Sequence, residues 1–217
     1  MPSSDSLDDL IPITDNGLVP LMARSTGHCG AAHVRPLWAV YLVAGGGNRE
    51  DTMRTHTVID SPIGALTLVA TDGALSGLYM EEHLHLPDRS TFGPRIGCGF
   101  EEAAEQLGEY FAGQRESFTL PTRAEGSDFQ RRVWQVVVAI PYGQTRTYAQ
   151  LADAVGRRAQ IRAVGAANGR NPLAIVVPCH RVVASDGSLT GYAGGLARKR
   201  ALLNLERPFG PRPGQRF

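Results

Sequence analysis

The sequence predicts an α+β protein: a small amino-terminal unit with an antiparallel sheet and a helix, followed by a mostly helical unit with a helix-turn-helix and an active-site cysteine. Three observations predict it. Short β-branched segments alternate with Gly and Pro turns between residues 55 and 80; apolar residues recur at helical spacing from Glu101 onward; and a lone Pro-Cys-His run closes a short apolar stretch near residue 179. The expected division is 1–52 as a poorly ordered extension, 53–125 as the α+β domain, and 126–217 as the domain that holds the cysteine.

Residues 1–52 show no sustained periodicity and include the Gly45-Gly46-Gly47 run, hence the reading as an extension. Thr55–Asp60, Ala65–Thr71 and Leu75–Met80 then read as a meander, punctuated by Ser61-Pro62-Ile63-Gly64 and Asp72-Gly73. Glu101–Phe111 puts Ala104, Leu107 and Phe111 on one helical face, with Gly113 as the stop, and Phe118–Leu120 reads as a further strand. Asp128 is a plausible N-cap for a helix carrying Phe129, Val133, Val136, Val137 and Ile140, ended by Pro141 and Gly143. Thr147 and Gln150 form a capping-box pattern for a short helix through Val155. A second short helix, roughly 160–168, follows at helix-turn-helix distance. Its Ala163, Gly165, Ala166, Ala167 and Gly169 leave a face almost free of side-chain bulk. Such a face suits either a close approach to another surface or tight packing on a neighbouring helix.

The formal net charge of +1 conceals a polarity. Residues 1–128 hold 8 basic against 18 acidic side chains, a balance of −10; residues 129–217 hold 14 against 3, a balance of +11. A basic carboxy-terminal half fits a phosphate-backbone binder, and equally a solvated basic surface opposite an acidic one. No apolar run approaches the roughly 18–20 residues that span a bilayer. The first residues carry Asp5, Asp8 and Asp9 rather than a basic leader, so a cytoplasmic protein is expected. Cys29, Cys98 and Cys179 make no paired framework, which points to a reducing compartment.

Ala174–Val177 reads as a short buried strand that delivers Pro178-Cys179-His180-Arg181. A lone buried cysteine is usually a small hydrophobe. Here a Pro breaks the ladder before it and His and Arg follow, so the thiol is expected in a bent, electropositive setting that favours thiolate. On a strand His180 would point away from its neighbour, so a bridging water is the natural link between them. A carboxylate orienting that imidazole would complete a relay. Among Asp153, Asp186 and Glu206, the last is the best candidate, with a plain surface ion pair as the alternative.

These residues resemble a family. Arg162-Ala163-Val164-Gly165, Asn171-Pro172 and Ile175-Val176-Val177-Pro178-Cys179-His180-Arg181-Val182-Val183 are similar to the O6-alkylguanine-DNA alkyltransferases, or methylated-DNA–protein-cysteine methyltransferases. So are Ile140-Pro141-Tyr142-Gly143, Thr147-Tyr148, Gly191-Tyr192 and Leu202-Leu203 with Leu205-Glu206. The resemblance runs in order from about Thr55 to Glu206. It implies DNA repair by direct reversal: irreversible, single-turnover transfer of an alkyl group from O6-alkylguanine, with O4-alkylthymine a second candidate, to the protein's own cysteine.

The resemblance also implies roles. Cys179 would be the alkyl acceptor, His180 and Glu206 its water-linked relay, and Asn171 the brace between the recognition helix and the active-site strand. Tyr148 would help rotate the target nucleotide and donate to the guanine ring. Arg162 would enter the duplex as a finger, with Ala163, Gly165 and Ala166 facing DNA on the same helix. Val182, Tyr192, Ala193 and Gly194 would line the base pocket.

Elementary chemistry is consistent with this. In-line displacement needs the sulfur within about 3 to 3.5 Å of the alkyl carbon, which a stacked base cannot satisfy, so the base must be flipped out. The implied partner is double-stranded DNA carrying O6-alkylguanine, bound by a monomer, with cooperative loading left open. No cofactor and no metal are expected, since His28, Cys29, His83, His85 and Cys98 lack ligand spacing. Ala193 stands where some relatives have Ser, which leaves tolerance of bulky alkyl groups open. Two other readings remain. A non-catalytic lesion binder or regulator would not need Cys179, and a cysteine hydrolase would leave the Arg162 segment unexplained.

Overall fold

In the computed structural model, which describes residues 52–207, β1 (Arg54–Ile59), β2 (Leu66–Thr71) and β3 (Ala74–Met80) form an antiparallel sheet in the order β1-β2-β3. The predicted extension, residues 1–52, lies outside the described residues except for Thr52. Asp72 and Gly73 both have positive φ, 52° and 80°, as a two-residue hairpin of the Asp-Gly kind requires. The period of two splits the sheet's side chains. Leu66, Leu68, Leu78 and Met80 enter the main core, whereas Val69 and Tyr79 meet Phe92 in a smaller cluster on the other face.

Helix α1 (Glu101–Phe111) buries Ala103, Gln106, Leu107 and Tyr110 and carries Glu101 and Glu102 in its first turn, where the helix dipole favours acids. The predicted strand Phe118–Leu120 does not form. Gln106 of α1 takes the Thr119 N–H with Oε1 (2.9 Å) and donates to the Thr119 hydroxyl (2.9 Å), which removes that backbone from any ladder. Contact with the sheet comes later, where Leu75 N–H donates to the Pro121 carbonyl and Arg123 N–H to the Leu75 carbonyl.

Helix α2 (Asp128–Val138) buries Val133, Trp134 and Val137. Its N-cap is Ser127 rather than Asp128: Ser127 and Gln130 form a full capping box, so Asp128 begins the first turn. The Thr147–Gln150 capping box predicted for α3 (Tyr148–Ala154) is present. A turn through Gly156 and a 3-10 turn at Arg158–Gln160 lead into α4 (Ile161–Gly169). Helix α4 packs on both α2 and α3. There Trp134 Nε1 donates to the Ala167 carbonyl at 2.9 Å, and Gly165 lies beside the Tyr148 ring.

The two-residue strands β4 (Arg146–Thr147) and β5 (Val182–Val183) pair in parallel, and α5 (Leu196–Leu205) closes the described chain. One contiguous apolar cluster runs from Leu66 on β2 to Leu202 on α5, so both halves share a core. No helix among the described residues is long and apolar enough to cross a membrane.

Candidate active site

The segment that carries Cys179 is not the strand its β-branched residues predict. Ile175 has φ of 72°, and Val176 N–H donates to the Ala174 carbonyl two residues back, which makes a γ-turn of the rarer, positive-φ kind. Pro178, at φ −80° and ψ 60°, sits at the centre of an inverse γ-turn closed by Cys179 N–H on the Val177 carbonyl. Residues Cys179–Arg181 then form a single 3-10 turn. An isoleucine at positive φ costs about 1–3 kcal/mol. Burial of Leu173, Ala174, Ile175 and Val177 offsets that cost, as does Asn171, whose amide donates to the Val177 carbonyl (2.8 Å) and accepts from Leu173 N–H (2.9 Å). The free edge of β3 fixes the start of the segment, with Leu78 N–H donating to the Pro172 carbonyl. These turns place Cys179, His180 and Arg181 together inside the protein.

Asn171 Nδ2 also donates to the Cys179 sulfur at 3.1 Å. The expectation of a thiolate-favouring setting is corrected by burial. Cys179 is 5% exposed, and desolvation pushes its thiol up despite the Asn171 donor and the Lys199 charge. The thiol therefore needs a base. Burial keeps the His180 imidazole neutral, pulling it below the usual histidine range although Glu206 pulls the other way. His180 Nε2 lies 2.8 Å from Glu206 Oε1, a pairing that assigns the proton to Nε2 and leaves Nδ1 as the basic nitrogen. Nδ1 has no hydrogen-bond partner among the described residues.

Glu206 is not the surface ion pair kept as its alternative; it is 1% exposed. Oε1 accepts from Tyr110 (2.7 Å), His180 and Arg181 Nη2 (2.9 Å), and Oε2 accepts from Arg181 Nε (2.8 Å). Burial alone would push this carboxyl up, but hydrogen bonds from His180 and Arg181 win and hold it at about 2. The sequence reading missed Arg181 as the partner of Glu206, and it missed Tyr110, which reaches Glu206 from α1 96 residues earlier. Only the Pro-Cys-His-Arg string hinted at Arg181, and no local pattern marks Tyr110.

Lys199, the sole lysine in the sequence, was also missed. It is fully buried on α5 and donates to the Val182 and Thr190 carbonyls, both at 2.6 Å. Burial draws its ammonium down to about 8. It thereby ties β5, which follows the cysteine, to the loop before α5.

That loop forms one wall of a groove of 550 Å³ whose other walls come from Tyr148, from α4 and from Leu84–His85. Arg162, Gly165, Ala166, Tyr148, Tyr192 and Ala193 all line it. Val182 and Gly194 do not. Val182 is fully buried with its carbonyl on Lys199, and Gly194 packs against Met80 so closely that an added Cβ would stand 2.0 Å from the Met80 sulfur. Ala163 is exposed on α4 outside the groove lining, and Ala167 turns into the core. Tyr148 donates to the Thr190 (3.3 Å) and Gly191 (3.1 Å) carbonyls and lies within electrostatic reach of Cys179.

Fold and site together define a protein built around one buried cysteine, served by a His–Glu pair and set near an open groove. Residues 55–124 match the family model described as 6-O-methylguanine DNA methyltransferase, ribonuclease-like domain, and residues 128–208 match its DNA binding domain. A relative from Mycobacterium tuberculosis named methylated-DNA–protein-cysteine methyltransferase is 49% identical over 156 residues, covering 72% of this chain and 94% of its own. One from Bacillus subtilis, the constitutive methylated-DNA–protein-cysteine methyltransferase, is 41% identical over 159 residues, covering 71% and 96%. The crystal structure of Mycobacterium tuberculosis O6-methylguanine methyltransferase superposes with a TM-score of 0.67 at 48% identity, covering 73% and 96%. The structure of the OGT from that organism in complex with DNA gives 0.66 at 48% identity, covering 70% and 92%. The chain belongs to the 6-O-methylguanine DNA methyltransferase family.

Proposed function

We propose that this protein repairs DNA by direct reversal, moving the alkyl group of O6-alkylguanine in duplex DNA onto the sulfur of Cys179. The observation that carries the reading is the buried Cys179 thiol, held by Asn171 beside a His180 whose Nε2 is fixed on Glu206 and whose Nδ1 is left open. Nδ1 takes the thiol proton through a bridging water, and the sulfur attacks the alkyl carbon in line. As the S–C bond forms, the C–O6 bond breaks and its electron pair leaves with the purine. Tyr148 turns from the Thr190 and Gly191 carbonyls to donate to the ring, stabilising the developing charge, and the proton that His180 took from the thiol is passed to the departing purine.

The thioether product offers no carbonyl for water to attack, so each molecule acts once. Helices α3 and α4 serve as a helix-turn-helix, in which the small exposed side chains of Ala163 and Ala166 allow close approach to a groove of DNA. Arg162, exposed at the start of α4, occupies the space left by the flipped nucleotide. The division near residue 125 separates the sheet unit from the DNA-binding unit, and the protein works as a monomer in the cytoplasm. A non-catalytic lesion binder is not favoured, because the acceptor cysteine is present. Incubation with duplex DNA containing O6-methylguanine adds ~14 Da, once, to the peptide carrying Cys179, as mass spectrometry would read directly. Repeated turnover, or clearance of the lesion by Cys179→Ser, would overturn the reading.

A further inference from the structure

The sheet unit also contributes to the groove. Its segment after β3 is fixed to the opposite wall: Leu84 N–H donates to the Ala193 carbonyl at 2.8 Å, and Gly194 packs on Met80 at the end of β3. His83, just before Leu84, is buried with its ring edge-on to Tyr79. The backbone at Leu84 is therefore held from both sides, yet its side chain is 76% exposed, among the most exposed large apolar side chains described. It lines the same groove as Tyr148, Arg162 and Tyr192, and a second exposed apolar residue there, Ile161, is 40% exposed.

A large apolar side chain on a fixed backbone at the rim of a groove gains burial only when something apolar occupies the groove. Phosphate offers Leu84 no interaction, whereas a purine face with its alkyl substituent does. We propose that Leu84 is a substrate-contacting, specificity-determining residue that covers the alkylated purine once it has entered the groove. The amino-terminal unit thus supplies part of the substrate site. The proposal rests on the alkyl-transfer reading above and adds a contact to it.

The test compares the full-length protein with Leu84→Ser in single-turnover reaction with free O6-benzylguanine, and with iodoacetamide as a probe of the thiol alone. Leu84→Ser is expected to slow the benzylguanine reaction about five- to tenfold, the loss that follows from partial burial of one leucine. Its iodoacetamide rate and its thermal midpoint stay at wild-type values, because an exposed side chain supports neither the thiol nor the core. An unchanged benzylguanine rate, or an equal loss toward both reagents, overturns the contact. A wild-type protein that reacts with iodoacetamide but with neither benzylguanine nor methylated duplex overturns the alkyl-transfer reading and this inference together.

Discussion

At the scale of the residue, Glu206 bears more on the site than its place at the end of a basic helix suggests. It balances Arg181 with two bonds and orients His180 with a third interaction, all out of water. Glu206→Gln leaves a buried guanidinium without its counter-ion. We expect it to destabilise the fold by about 3–5 kcal/mol, well beyond the effect of the same change at an exposed glutamate, as chemical denaturation would measure. An ordinary small loss would mean that the pair is solvated. That Cys179, His180 and Glu206 meet could be anticipated from the sequence because chemistry limits which residue types can pair in this way, and few acids follow residue 129. Tyr110 and Lys199 could not. Their partners lie on other elements, and a tyrosine or lysine on a helix has no periodic mark that separates a buried hydrogen-bonding role from a surface one.

At the scale of the element, the helices with side-chain caps were legible and the segment before the cysteine was not. Thr147 and Gln150 announce α3 because a capping box is a local device that works within four residues. Ala174–Val177 has the composition of a strand but is bent by a γ-turn at Ile175, with a second at Pro178 just beyond it, and Asn171 and the edge of β3 hydrogen-bond to the backbone around it. A short apolar run records burial, and burial is common to both outcomes. For α4, the exposed Arg162 supports no core contact, so its removal should leave the fold intact. Arg162→Ala is expected to slow repair in duplex DNA on the order of 10- to 100-fold, the cost of an unassisted base extrusion, with little effect on free O6-benzylguanine. Equal losses on the two substrates would remove the finger role.

At the scale of the whole molecule, Glu206 joins the two halves, because Tyr110 belongs to α1 and Arg181 and His180 to the turn after Pro178. Its carboxyl stands at about 2 in the folded protein against 4.5 ordinarily. The folded pKa is depressed, so the linked stability is fully present above pH 4.5 and is lost as pH falls toward 2, about 3 kcal/mol in all. Buried neutral His180 acts in the same direction, beginning below its ordinary 6.5. Acid unfolding followed by circular dichroism should therefore steepen below pH 4.5 and disrupt both halves together; separate transitions would show that the carboxylate does not couple them. The lone lysine has a different consequence. Of 22 lysines and arginines only Lys199 is a lysine, and it is enclosed. Histidines and the chain terminus aside, the positive charge this protein presents to a polyanion is thus carried by planar guanidinium groups, which hold their protons past pH 12 and can grip phosphate oxygens two at a time, so its hold on such a partner should not weaken in mild alkali.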